Sequence, residues 1–357
     1  MKSNNIFEDE AYRTSRKNEF DGNLVHGAKK YHLVTNRNGD DKPNSVGHSK
    51  GLNKVTNIGE DKYQPILSKW ESVNICPVCN SSKNSFYLQR EALKVYRCAN
   101  CDHRFLNPRI KFSEASILYS EDSTAADIYN SSVELELNAI KFRYVVDVMK
   151  SYSDDYNKIL DIGCGNGLLL KTALKQGYKY CIGVDINQSY QNIKSNAISP
   201  GLSFYNMTFD EILNNEELLG NNYDCISMWF VLEHIYDIKK IVRDVYKLLK
   251  KGGIFVIGVP NAKSLATRII REKSPTYNWK HVSYFTKENL NLLLENAGFE
   301  EIFSETLITE IDNIKSYLSG EHPYEGIGDT ENIFDFITPE FIYKNSMGSK
   351  IFSIFKK

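Results

Sequence analysis

The 357-residue chain has no long apolar run. Its longest clean one, Gly253 to Val259, falls far short of the ~20 residues that a membrane helix needs. The opening MKSNNIFEDE has no apolar core of the kind a secretory signal carries. An excess of charge of one sign is also missing: 44 Lys and Arg face 45 Asp and Glu, for a net charge of -1. That disfavours a globally basic nucleic-acid binder, although it leaves room for a local basic patch. The seven cysteines are odd in number and do not suit a fully paired disulfide framework. There is no internal repeat. These absences predict a cytoplasmic protein with no membrane span. What is present suffices for a core: hydrophobic residues make up 41% and aromatics 12%. The length predicts about two domains.

Residues 1–70 are polar, without a period of 2 or 3.6, and read as a leader with no fold of its own. A cysteine-bearing module is expected over 71–112, a linker over 113–131 and a large α/β domain over 132–357. In the last, Ser131–Tyr152 has helical apolar spacing. Strands are predicted at Lys158–Gly163, Cys181–Ile186, Leu202–Met207, Tyr223–Phe230 and Ile254–Val259. Helices at Gly167–Gly177 and Asp237–Gly253 alternate with them. This alternation implies crossovers and a mainly parallel sheet covered on both faces. A helix at Thr286–Phe299 and a strand at Glu300–Leu307 follow. Ser349–Lys357 reads as a final antiparallel strand.

Cys76, Cys79, Cys98 and Cys101 form a C-x2-C-x18-C-x2-C pattern. Each pair can turn two thiolates toward one ion, and four thiolates satisfy tetrahedral Zn²⁺. The alternatives are four free or paired cysteines, or His103 replacing one thiolate. So small a unit has too little core to fold alone, which gives bound metal a structural role. Cys164, Cys181 and Cys225 read as core or cofactor-wall thiols.

The first strand of the α/β domain runs into D-I-G-C-G-N-G, with Asp161, Gly163, Cys164, Gly165 and Gly167. Glycines let a turn approach a ligand closely, although a tight strand-to-helix turn alone would also use them. Asp161 would repel a pyrophosphate and suits a ligand with an ammonium group. Asp185 lies 22 residues beyond Gly163, the distance at which an acidic residue meets ribose hydroxyls in nucleotide-binding βαβ units.

Together these residues resemble the class I S-adenosylmethionine-dependent methyltransferases, over roughly Ile140 to Leu307. The resemblance implies a Rossmann-like α/β fold with a mostly parallel seven-stranded sheet, beside the small N-terminal zinc ribbon. It implies S-adenosyl-L-methionine as cofactor. Asp161 would orient the methionine amino group, Asp185 the ribose, and Ile186, Met207 and Thr208 would flank the adenine. The backbone of Met228, Trp229 and Phe230 would meet the methionine end. Glu233 and His234 would stand beside the methyl group, with His234 as a general base or as a structural hydrogen-bonder. His281 is a second base candidate, and Trp279 and Tyr284 read equally as packing or acceptor contact.

The cysteine module is similar to those preceding some bacterial sugar or secondary-metabolite methyltransferases. That implies a small-molecule or glycan acceptor, methylated on oxygen. One alternative is an RNA methyltransferase whose ribbon grips RNA; another is an inactive cofactor-binding scaffold whose ribbon recruits a partner protein.

Overall fold

The structure is a computed structural model. It describes residues 56–57, 64–65, 67–120, 132–153, 155–187, 200–219, 223–311, 314 and 337–357. Most of the expected leader, the end of the expected linker and the segment Glu321–Asp329 lie outside the described residues.

The cysteine-bearing part is a sheet of β1 (Asn84–Arg90), β2 (Leu93–Cys98) and β3 (Arg104–Leu106). Helix α1 (Phe112–Ser120) follows. It occupies the start of the stretch expected to be a plain linker, anchored by buried Ala115 and by Phe112 packed edge-on against Tyr236 at 5.3 Å. The α/β part begins with α2 (Ser132–Ser151), β4 (Lys158–Ile162), α3 (Leu168–Lys175) and β5 (Tyr180–Asp185). It continues through β6 (Leu202–Asn206), β7 (Tyr223–Trp229), α4 (Ile238–Leu248) and β8 (Leu249–Pro260). It closes with β9 (Ser283–Tyr284), α5 (Lys287–Glu295), β10 (Glu300–Leu307) and β11 (Lys350–Lys356).

Seven strands make one sheet in the order β6-β5-β4-β7-β8-β11-β10. Only β11 runs against its neighbours, so the expected closing antiparallel strand is present. Side chains alternate along the central strands. Cys225, Ile254 and Val256 face α2 and α3, while Ile226, Phe255 and Ile257 face α4 and α5. Strand β8 starts at Leu249, five residues before the expected start, and α4 is correspondingly shorter than expected. Leu249 is already extended and pairs with Tyr223, and the register shifts between Tyr223 and Cys225 to absorb the Lys-Lys-Gly-Gly stretch. Strands β5 and β6 end at Asp185 and Asn206, each one residue earlier than predicted.

The cysteine-bearing sheet has a fourth strand, and it comes from the α/β part. Ser283 and Tyr284 of β9 pair antiparallel with Phe105 and Arg104 of β3. Cys76, Val78, Cys98 and Phe105 also share one apolar cluster with Phe285, Leu290 and the strands above α4. The expected boundary at residue 112 therefore crosses continuous packing.

Gly258 of β8 lies under the Trp229 ring, where a Cβ would sit 2.7 Å from ring carbons. Trp229 is wedged between Phe142 and Phe352 and has little room to yield. Gly258→Ala is expected to lower unfolding stability by about 1–3 kcal/mol, the usual cost of overpacking, as measured by urea denaturation.

Candidate active site and cysteine centre

Strand β4 delivers Asp161 to the sheet interior, where its Oδ1 accepts a 2.7 Å hydrogen bond from Ser227 Oγ of β7. Burial raises its carboxyl to about 7, against the opposing effect of the Ser227 hydroxyl. The turn that follows is forced to be glycine at two points. Gly163 and Gly167 have φ of 74° and 71°. A Cβ on either would come within 2.3 Å of Val231 and Phe204, respectively. Gly163 and Cys164 donate their N–H groups to the Val184 carbonyl, at 2.8 and 3.1 Å, and this fixes the turn over the end of β5.

Asp185 closes β5 beside that turn. Its carboxylate accepts from Gly165 N and Asn187 N, both at 2.8 Å. The two acidic strand ends and the glycine turn thus meet at the carboxyl edge of the parallel strands, where open α/β sheets bind ligands. Ile186 is exposed and Met207 half-buried, just past the strand ends. The Thr208 side chain is committed to a capping box with Glu211, which leaves its methyl group for any ring contact. Phe230 follows β7 at φ 59° and is held by its N–H on the Gly258 carbonyl at 2.8 Å. Lys141 of α2 stands over the rings of Phe142, Trp229 and Phe230 at 4.6, 5.8 and 5.4 Å. Only the fold brings that lysine here, and the glycine motif gives no hint of it.

Glu233 and His234 lie in a 3₁₀ turn after β7, Leu232–His234. The Glu233 carbonyl accepts from Val282 N at 2.9 Å, which draws the 276–284 segment over the turn. His281 comes with it, its ring centroid 4.9 Å from that of His234. One side-chain donor or acceptor atom from each of Glu233, His234 and His281 lies within 4.8 Å of the others. All three predicted residues therefore share one wall. Burial lowers the His234 pKa to about 4, with the Lys280 and Phe230 carbonyls opposing it. Burial raises Glu233 to about 8, against a contrary pull from Lys350. At neutral pH the imidazole is uncharged and the carboxyl holds its proton. His281 Nδ1 donates to the Thr276 carbonyl at 2.7 Å. Trp279 and Tyr284 are buried in the apolar cluster behind the wall, with Leu106 and Ile110, so packing is their observed part.

Tyr119 was not legible as a site residue. Its hydroxyl lies 3.1 Å from His234 Nδ1 and donates to the Lys280 carbonyl at 2.9 Å. The aromatic at the end of α1 was the only available signal, and it sits in the stretch that reads as linker.

The four paired cysteines converge as their spacing predicts. Cys76 and Cys101 sulfurs are 3.6 Å apart, Cys79 and Cys98 sulfurs 3.5 Å, and all four lie within 4.8 Å of one another. Each C-x2-C turn ends in a left-handed residue, Asn80 at φ 61° and Asp102 at φ 60°. A hydrogen bond from Cys101 pulls the Cys76 thiol down to about 5, and the same contact pushes Cys101 up. Burial raises Cys79. Four crowded sulfurs thus resist sharing negative charge among themselves. His103 is fully buried against Phe105 and Phe285 rings, outside the sulfur cluster.

A family model described as a methyltransferase domain matches residues 138–302. The chain is 24% identical over 182 residues to a ubiquinone biosynthesis O-methyltransferase of Rickettsia bellii, covering 46% of this chain and 71% of that protein. It is 36% identical over 109 residues to the protein of the same name from Bartonella tribocorum, covering 30% of this chain and 42% of that one. Among solved structures, it resembles an S-adenosylmethionine-dependent methyltransferase of Archaeoglobus fulgidus. The TM-score is 0.45 at 22% identity, covering 66% of this chain and 98% of that one. The family match spans the glycine turn, both acidic strand ends and the Glu233–His281 wall. On that ground residues 138–302 form an S-adenosylmethionine-dependent methyltransferase domain.

Proposed function

We propose that the enzyme methylates an oxygen of a small-molecule acceptor, a glycan among the possible ones. The observation that carries the reading is a neutral, half-buried imidazole, His234, in the turn after β7, pinned through Nδ1. The relatives' names, which specify O-methyltransferases, agree with it.

Bound S-adenosylmethionine supplies an electrophilic sulfonium methyl group. Asp161 would face the methionine amino group, and Asp185 the ribose hydroxyls after exchanging its contacts with Gly165 N and Asn187 N. Gly163, Cys164, Gly165 and Gly167 would admit the ligand to the backbone, and Met228, Trp229 and Phe230 would line its methionine end. Ile186, Met207 and the Thr208 methyl would border the adenine. The departing sulfur becomes neutral, so the protein's tasks are alignment and removal of the acceptor's proton. His234 would take that proton at Nε2. Glu233 and His281 would complete the wall that keeps water away.

The four sulfurs at Cys76, Cys79, Cys98 and Cys101 would hold a structural Zn²⁺, whose charge offsets the thiolates' mutual repulsion. The chain's organisation is then a cysteine module over 71–112, docked on a methyltransferase domain over 132–357.

Four outcomes follow from these assignments. Label from methyl-labelled S-adenosylmethionine, incubated with fractionated cell extract, is expected in low-mass material. Label in RNA would overturn the acceptor class, and bound cofactor with no transfer to any fraction would favour a scaffold. His234→Asn is expected to abolish that transfer with S-adenosylhomocysteine affinity retained. A third outcome concerns pH. Below about 7 Asp161 is protonated in the ligand-free protein, so pairing with an ammonium group requires its ionisation. Affinity for S-adenosylhomocysteine, measured by calorimetry, is expected to weaken by up to about tenfold per pH unit below that point. Asp161→Asn should bind more weakly and lose that pH dependence. Finally, metal analysis of protein purified without chelator should find about one zinc per chain, and a content near zero would remove the zinc assignment.

A further inference from the structure

The cysteine-bearing part does more than sit beside the catalytic part. It takes its fourth strand from β9, two residues beyond His281. Arg90 of β1 donates to the Ser274 and Tyr277 carbonyls at 2.8 and 3.1 Å. Arg104 of β3 donates to the Ala262 carbonyl at 2.6 Å. The 274–284 segment that carries His281 is therefore held from the module's side along its length.

Helix α1 then carries Tyr119 to His234. The Lys280 carbonyl accepts from Tyr119 Oη at 2.9 Å and lies 2.9 Å from His234 Nδ1. A carbonyl can only accept, so His234 Nδ1 carries the hydrogen. The neutral ring then has its lone pair on Nε2. Tyr119 Oη, 3.1 Å from Nδ1, is a second acceptor for the same N–H, since its own proton is directed at Lys280.

We propose that the cysteine module, together with helix α1 that follows it, is a wall of the acceptor site, and that Tyr119 is a positioning residue holding the His234 ring in the Nδ1–H tautomer. The proposal rests on the reading of His234 as the base. It assigns the module to acceptor-site geometry rather than to recruitment of a partner. The groups facing His234 are the Lys280 and Phe230 carbonyls, Glu233, whose Oε1 is 3.9 Å from Nε2, His281, the Lys280 ammonium and Tyr119 itself. Removing the tyrosine hydroxyl takes one of the two acceptors from the Nδ1–H and leaves the Lys280 carbonyl. The Nε2–H tautomer then gains population.

The test uses the full-length protein, with ¹⁵N-labelled histidine followed by NMR, beside transfer of labelled methyl to the extract fraction that the unsubstituted protein labels. Tyr119→Phe should convert a single His234 tautomer signal into a mixture and shift the ring's titration. It should slow transfer by about threefold to tenfold, the worth of one hydrogen bond. S-adenosylhomocysteine affinity should not change. Ala115→Glu, which lifts α1 from the apolar cluster beneath it, should reproduce the tautomer change without touching Tyr119. If His234→Asn abolishes transfer while both variants keep the single tautomer and full transfer, Tyr119 has no positioning role and the base reading survives. Full transfer by His234→Asn removes the base reading, and this proposal with it.

Discussion

The antiparallel pairing of Ser283–Tyr284 with Arg104–Phe105 is the contact on which the site's architecture depends. A two-residue strand has almost no stability of its own. It persists because β3 offers it backbone partners on one side, while Phe105 and Phe285 bury their rings in the cluster beneath. That short pairing fixes the approach of residues 276–284 to the end of β7. His281 and the Lys280 carbonyl reach His234 by this route. The module's sulfur cluster lies in the same apolar body, so its order and that of residues 276–284 are physically continuous.

A second constraint is the treatment of buried acids. Asp161 and Glu233 are both raised by burial. Asp161 costs the fold stability increasingly as pH rises from its ordinary 3.8 to about 7, where the unfolded chain releases its proton and the folded one does not, and the cost persists above that. Such a group belongs where a cation from outside the chain will pair with it. The thiol cluster poses a similar problem, since a hydrogen bond between Cys76 and Cys101 lowers one thiol only by raising the other. Glu233 differs, since it stands next to an uncharged His234 and gains nothing from ionising there. Its buried neutral carboxyl and the uncharged imidazole thus stand side by side after β7.

Much of this was legible in the sequence because its causes are local. Glycines at left-handed positions, acidic residues at two strand ends and alternating strands and helices are each set by a few neighbouring residues. They carry Asp161 and Asp185 to the ends of β4 and β5, and the sheet follows the expected alternation. The cysteine spacing did the same for the sulfur cluster. Boundaries slipped where tertiary pairing overrode local pattern, as at Leu249, whose apolar spacing continues the helix although its backbone has joined the sheet. Tyr119, Lys141 and the shared strand were not legible. Each depends on segments more than 80 residues apart in sequence meeting in space, and no local period records such a meeting.

The same distinction bears on how the module and catalytic part relate. A tethered recruiting domain would need only its own fold and a linker, and its contacts with the catalytic part could be sparse. Here the contact is backbone pairing, two arginines on main-chain carbonyls and a shared core. Main-chain carbonyls are fixed points, so an arginine that holds them constrains the chain's path, whereas side-chain pairs at a surface constrain little. Arg90 grips the Ser274 and Tyr277 carbonyls, and His281 in turn donates to the carbonyl of Thr276, which lies between them. His281 and the strand that follows it are therefore tied through main-chain contacts to the part of the chain that carries the cysteines.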